Sequence, residues 1–314
     1  GGRSAMKELV VISGKGGTGK TSLVAAFAAL AERKVLADCD VDAADLHLVL
    51  KPDVQRRERF SGGHVARILV ENCTVCGRCA ELCRFDAVRF DGPPSETIAK
   101  TYRVDPIACE GCGVCVRFCP ADAIAFEPDV SGEWFISETR HGPMVHARLG
   151  PAGENSGKLV TLVRDQARQI AERDRLDLVL VDGAPGIGCP VIASVTGADL
   201  ALIVTEPTLS GLHDLERVHA LLRHFGIPAL VSVNKYDINA ELADEIEAAA
   251  ARLGATVVGR IPYDQAFTKA QIEGLSLIEY DRSATANDVR SLWQQVAGRL
   301  EVSTAQRPKT TGKE

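Results

Sequence analysis

No run of eighteen apolar residues occurs in the 314-residue chain, so no segment of it reads as a membrane-spanning helix. A charged n-region followed by an apolar stretch and a cleavage site is also missing, and a chain kept in the reducing cytoplasm is the reading. Basic residues are not in excess: 36 Lys and Arg against 42 Asp and Glu leave a net charge of −6. Without a lysine/arginine stripe, nucleic acid is not expected as the main partner, and the short RRER group at 56–59 reads as a solvated strand face. Segment 301–314 contains Pro308 and almost no bulky apolar residue. It is expected to be a flexible tail, unable to form an amphipathic membrane-binding helix. Residues 1–5 (GGRSA) precede Met6 and read as a tag remnant.

Cysteine, by contrast, is concentrated. Of ten cysteines, eight fall in two runs: Cys73, Cys76, Cys79, Cys83 and Cys109, Cys112, Cys115, Cys119. Each run reads C-x2-C-x2-C-x3-C, and Pro120 follows the second. A zinc ion takes four N/S ligands, typically from two separated C-x2-C pairs. Four thiolates in one short run, repeated, suit an iron–sulfur cubane better. Residues 73–90 and 109–126 superimpose at a constant offset of 36, which is an internal duplication of cluster loop, short helix and strand. This stretch resembles a bacterial two-cluster 4Fe–4S ferredoxin. The resemblance implies crossed ligation, the fourth cysteine of each run serving the other cluster. Cluster one would take Cys73, Cys76, Cys79 and Cys119; cluster two would take Cys109, Cys112, Cys115 and Cys83. Arg84 stands where that family prefers proline and would place a cation near cluster two. A zinc-binding or disulfide-stapled module is the alternative.

The flanks carry different chemistry. A β-branched run at 7–13 leads directly into GKGGTGKTS and then into a helix-like segment. Strand, glycine loop and helix are the context that makes G-x4-G-K-[ST] a phosphate-binding loop. Gly14 and Gly19 frame it, with Gly16, Gly17, Thr18 and Ser22 in the loop and its exit; Lys20 would reach the β/γ-phosphates and Thr21 would ligate Mg2+. The additional Lys15 makes the sequence resemble the deviant Walker A group: MinD, ParA, the nitrogenase iron protein and the Mrp-type cluster carriers. That resemblance implies a homodimer closing on ATP, with Lys15 reaching the partner's phosphates as an arginine finger would. It also implies switch I at ADCDVDAADL, where Asp40 would orient the attacking water with Asp42 or Asp45 in support. Switch II would be DGAPGIG, where Asp182 would hold a Mg2+-bound water. At ALVSVNKYD, Asn234 would contact the base and the loop bearing Pro262 would close over it. Asn234-Lys235-Tyr236-Asp237 also matches the guanine-reading N-K-x-D of regulatory GTPases, so GTP stays open behind ATP.

Strand-like runs at 7–13, 34–37, 177–182, 199–205, 228–233 and 255–261 alternate with helix-like segments at 21–33, 158–173, 211–224, 240–253 and 286–300. The pattern argues an α/β fold with a doubly wound, mostly parallel P-loop sheet. Into it is inserted a small α+β bacterial-type ferredoxin domain. The expected division is 6–63 and 129–300 for the ATPase domain and 64–128 for the insert, with strand-like stalks at 54–60 and 133–140. The segment 141–160 reads as a loop rich in turn formers, a docking loop in one reading, before a helix opening at Ser156. Cys39 reads as a small buried residue. Cys189, following switch II, is an extra metal or cluster ligand in one reading, completed by His141 or His146, and a redox-sensitive thiol in the other. No C-x-x-C pair follows it, unlike the Mrp-type carriers. Three functions follow: ATP-gated electron transfer to a redox partner, assembly or delivery of a cluster or metal to an apo-metalloprotein, and a redox-sensing positioning protein.

Overall fold

The computed structural model describes residues 6–150 and 156–301; the tag-remnant reading and almost all of the tail fall outside the described residues. In chain order the first elements are β1 (Lys7–Ser13), α1 (Lys20–Leu30), β2 (Lys34–Asp38) and α2 (Leu46–Leu50). Then come β3 (Asp53–Ile68), α3 (Arg78–Leu82), β4 (Val88–Gly92), β5 (Thr101–Val104), α4 (Val114–Arg117), β6 (Ile124–Thr139) and β7 (Gly142–Leu149). The remainder alternates: α5 (Ser156–Asp174), β8 (Leu178–Pro185), α6 (Cys189–Val195), β9 (Leu200–Thr205), α7 (Leu209–His224) and β10 (Ala229–Asn234). It closes with α8 (Ala240–Leu253), β11 (Thr256–Ile261), α9 (Gln265–Glu273), α10 (Leu277–Tyr280) and α11 (Ala284–Leu300).

Two compact units result. Among the described residues, the first comprises those up to Glu58, Trp134–Arg148 and those from Ser156; the second is Arg59–Glu133 with Leu149 and Gly150. The sheet order is β11-β10-β9-β1-β8-β2-β7-β6-β3, and β1, β2, β8, β9, β10 and β11 pair in parallel. Strands buried on both faces read as continuous apolar runs rather than alternations, as LVVI in β1 and LVLV in β8 do. Helix α1 is buried almost all round, with Phe27 against Trp293 at 5.0 Å between ring centroids, which accounts for its lack of a polar face.

One expectation is overturned. Residues 142–149 are not a loop: β7 occupies Gly142–Leu149 and pairs in parallel with β2, Leu36 opposite Met144 and Asp38 opposite His146. Met144, Val145, His146 and Ala147 are all buried. Gly142 and Pro143 open the strand and a histidine interrupts it, so its turn formers mask an apolar centre.

In the second unit the duplication is visible in the backbone. Gly77 and Gly113, 36 residues apart, both precede their short helices in the left-handed region, at φ 76° and 71°. Asp86 and Asp122, at the same offset, also have positive φ (51° and 47°), and β4 and β6 begin at the equivalent Val88 and Ile124. The short helices start inside the cysteine runs rather than after them, so Cys79 and Cys115 are helical residues. The core of this unit is small: Ala66, Ile68 and Ile124, with cysteines, Tyr102, Val104 and Val116 packed on it.

Candidate functional site

Parallel pairing sets the nucleotide-site residues side by side. Asp38 at the end of β2 is in register with Asp182 of β8, and Asp182 with Val11 of β1. Helix α1 starts at Lys20 and directs its ammonium to the aspartates of these strands. Lys20 Nζ donates to Asp182 Oδ1 at 2.5 Å, lies 3.6 Å from Asp40 Oδ2, and donates to Thr21 Oγ1 at 3.4 Å. Burial pulls the ammonium down, but Asp182 and then Asp40 and Asp38 outweigh it, so Lys20 is held above the ordinary lysine range. Asp38, fully buried, is pushed well up by burial and by the like charge of Asp182. Asp40 is raised too, by burial first, with Lys20 opposing.

Thr18 Oγ1, Asp38 Oδ2 and Asp182 Oδ2 are buried with no hydrogen-bond partner in the structure. Orphaned oxygens of this kind are costly unless a ligand satisfies them. Their position beside a phosphate-binding loop fits a nucleotide with its divalent cation. Sequence reasoning missed Asp38, which lies one residue past the expected end of β2.

The residues read as base contacts touch the phosphate loop and its neighbours. Asn234 Nδ2 donates to the Thr18 carbonyl at 2.7 Å, across Gly19, where a Cβ would stand 2.3 Å from that nitrogen. Lys235 Nζ donates to the Gly17 carbonyl at 3.1 Å and also pairs with Glu206. Asp237 Oδ1 accepts from the backbone N–H of Tyr263, next to Pro262, at 2.7 Å. Asn234 and Lys235 thus brace the phosphate loop from β10, and Asp237 ties down the Pro262 segment. Ser22 Oγ accepts from Gln271 at 2.8 Å. Lys15 is partly exposed and pairs with Glu206 at 3.5 Å.

All eight run cysteines are free thiols. One small cavity, of about 20 Å3, is lined by Cys73, Cys76, Cys79 and Cys119 with Ile68, Tyr102 and Ile124. A second, also of about 20 Å3, is lined by Cys83, Cys109, Cys112 and Cys115 with Ala66, Phe85 and Val104. Each cavity therefore gathers three cysteines of one run and the fourth of the other. Burial first, then the neighbouring Cys73 and Cys115, push the Cys79 thiol up to about 11; burial, then Cys109, also raises Cys115. Among the described residues, no three His, Cys, Asp or Glu side chains converge as a single metal ion requires.

Both histidines weighed beside Cys189 have other neighbours. His146 is buried between the rings of Phe135 (4.8 Å) and His47 (6.1 Å), with its Nε2 2.9 Å from Ser137 Oγ. His141 Nε2 lies 3.1 Å from Glu279 Oε1. Cys189 is exposed at the start of α6, and Cys39 is fully buried, its thiol pushed well up by that burial.

Comparison with known proteins agrees with the nucleotide-site half of this description. Residues 9–278 match the CobQ/CobB/MinD/ParA nucleotide binding domain. An uncharacterized protein of Methanocaldococcus jannaschii, MJ0578, is 36% identical over 239 residues, covering 74% of this chain and 79% of its own. Among solved structures, Pyrococcus horikoshii MinD complexed with Mg-ADP superimposes with a TM-score of 0.53 at 18% identity, covering 93% of this chain and 96% of that one. A Cyanothece McdA variant in complex with ATP superimposes with a TM-score of 0.56 at 15% identity, covering 97% and 100%. No described helix is long and apolar enough to cross a membrane. With its matched span covering most of the sequence and Asp38, Asp40 and Asp182 gathered around Lys20, the chain belongs to the CobQ/CobB/MinD/ParA family of nucleotide-binding domains.

Proposed function

We propose that the protein binds and hydrolyses ATP with Mg2+ as a homodimer, and couples its nucleotide state to electron transfer through two 4Fe–4S clusters. The observation that carries this reading is the presence, in one chain, of a phosphate loop beside orphaned acceptors and of two cavities each lined by one crossed set of four cysteines. The Mg-ADP and ATP complexes of the MinD and McdA neighbours support ATP as the nucleotide. Lys20 and the loop backbone at 14–21 would hold the phosphates, and Thr21 and Asp182 would hold Mg2+, which neutralises phosphate charge when bound. Lys20 already has carboxylate partners, so an arriving triphosphate competes with Asp182 for it. Asp40, 3.6 Å away and partly exposed, would then orient the attacking water. Lys15 would act on the partner's nucleotide.

The cluster half rests on the chemistry of the donor set. Thiols raised by burial bind metal only as thiolates, so loading would release protons and hold the four sulfurs of each set together. Bound clusters supply one-electron chemistry. Ile68, Ile124, Val104 and Ala66 give each cavity an apolar wall, while Cys76 and Cys112 stay exposed; solvent access is one of the levers that set such potentials. Partners would be a redox donor and acceptor, with no nucleic-acid or membrane partner, in the cytoplasm. A delivery factor for clusters or metal is the second reading, favoured by the exposed Cys189 thiol just after switch II.

Purification from the native host under argon, with analysis of bound metal and proteins, tests the reading. Iron near eight atoms per chain with a co-purifying redox enzyme is the expected result. One zinc per run and no visible chromophore would overturn the cluster half, and apo-metalloproteins among the partners would favour delivery.

A further inference from the structure

Glu206 carries a role that neither the motifs nor the family match assigned. It follows β9, which pairs in parallel with β1, Ile203 opposite Ile12. That register places it beside the loop following β1. Its two carboxylate oxygens are divided between two ammonium groups: Oε2 lies 3.5 Å from Lys15 Nζ, and Oε1 accepts a hydrogen bond from Lys235 Nζ. Lys15 Nζ also donates to Ser210 Oγ at 3.3 Å. Ser210 is 3.1 Å from Thr208 Oγ1, which caps α7 by accepting from Gly211 N–H. Glu206 is mostly buried, its side chain 14% exposed against 37% for Lys15. One carboxylate thus sits at the phosphate loop where, on loading, anionic phosphates compete for the same cations.

We propose that Glu206 is a positioning residue that parks Lys15 on its own protomer while phosphates are absent, and thereby sets the nucleotide concentration at which the dimer closes. This rests on the ATP reading above. Lys15 cannot pair with Glu206 and with a phosphate held by the partner at the same time, so the parked state competes with closure. Lys235 stays on Glu206 when Lys15 leaves, and the mostly buried carboxylate is never left without a cation. Because Lys15 is partly solvated the competition is modest, about fivefold in the closing concentration. Gly16 and Gly17 have open space where a Cβ would stand, leaving the loop beside Lys15 room to move.

Two measurements on the full-length, nucleotide-free protein test this. The first is the rate of Lys15 acylation by a water-soluble succinimidyl ester, read by mass spectrometry. Glu206→Gln should speed Lys15 labelling several-fold while Lys100, far along the sequence in the second unit, stays unchanged. Ser210→Ala, which leaves Lys235 untouched, should speed it as well and serves as the second variant if Glu206→Gln folds poorly. The second is sedimentation with a nonhydrolysable ATP analogue, where Glu206→Gln should lower the midpoint for dimer formation about fivefold. Unchanged Lys15 labelling in both variants overturns the proposal whether or not ATP binds, as does a midpoint that rises in Glu206→Gln. Faster labelling in a protein whose wild type ignores ATP overturns the nucleotide reading instead and leaves the parking contact supported.

Discussion

Lys20 is surrounded by Asp182, Asp40 and Asp38, and the balance of charge is what makes it sensitive to substitution. Lys20→Ala removes the phosphate cation and leaves buried carboxylates facing each other; nucleotide affinity should fall at least about a hundredfold by titration calorimetry, the scale of losing a charge-assisted contact in a buried site. Asp40→Ala keeps that cation and should still bind ATP but hydrolyse it slowly, so a closed dimer accumulates. His146 gives the residue-scale pH prediction. Burial, then the nearby His47, lowers it to about 4, below its ordinary unfolded value near 6.5. Between those values the unfolded chain binds a proton that the native protein refuses, so stability falls as pH drops from about 6.5 towards 4. His146→Gln should cost stability at pH 8 yet flatten that acid loss, as thermal melts across pH 4.5–8 would report. At this scale the gathering of Lys20, Thr21, Asp40 and Asp182 could be read ahead, because a glycine loop and two aspartates at or just past apolar runs mark them by order alone. Asp38, Glu206 and the ring stack on His146 were not, because each depends on which strand lies beside which.

Arg140, between β6 and β7, joins elements that the sequence separates widely. Its guanidinium donates to the carbonyls of Val49, Leu50 and Gly274 and to both carboxylate oxygens of Glu279. The end of α2, the turn after α9 and the capping box that opens α10 are thus held by one side chain. Burial works against the Glu279 carboxylate, but Arg140, His141 and Ser276 outweigh it and hold it well below the usual range. Arg140→Ala leaves carbonyls and a carboxylate without their donor and should cost about 2–4 kcal/mol in urea unfolding. Arg140→Lys should recover only part, since an ammonium cannot serve that planar fan of acceptors. The element pattern of the first unit was readable because doubly wound sheets alternate long apolar strands with helices, and the expected bounds fall within a few residues of α5, α7, α8 and α11. β7 escaped because glycine and proline open it and only a short stretch, Met144–Ala147, is buried, so local chemistry speaks of a turn while pairing with β2 decides the outcome.

On the scale of the whole molecule, the proposal joins two chemistries that must exchange free energy if they are coupled at all. Strands β3 and β6 each run on from one unit into the other, and β3 leaves shortly after the segment bearing Asp40. If a nucleotide-dependent change around Asp40 alters the surroundings of the cysteine cavities, the coupling is reciprocal. ATP would then shift the reduction potential of the bound clusters, and reduction would shift ATP affinity by the same free energy, typically about 1–3 kcal/mol. For a one-electron couple a tenfold change in affinity corresponds to about 59 mV. Potentiometric EPR with and without a nonhydrolysable ATP analogue gives one side of this cycle; nucleotide affinity in oxidised and in reduced protein gives the other. The two should agree in sign and size. A shift on one side only would point to loss of clusters or to aggregation during titration, because linkage forbids it at equilibrium. If neither quantity moves, and transfer to a redox partner is equally indifferent to nucleotide, the cysteine unit is merely tethered to the ATPase and nucleotide gating of electron flow is wrong.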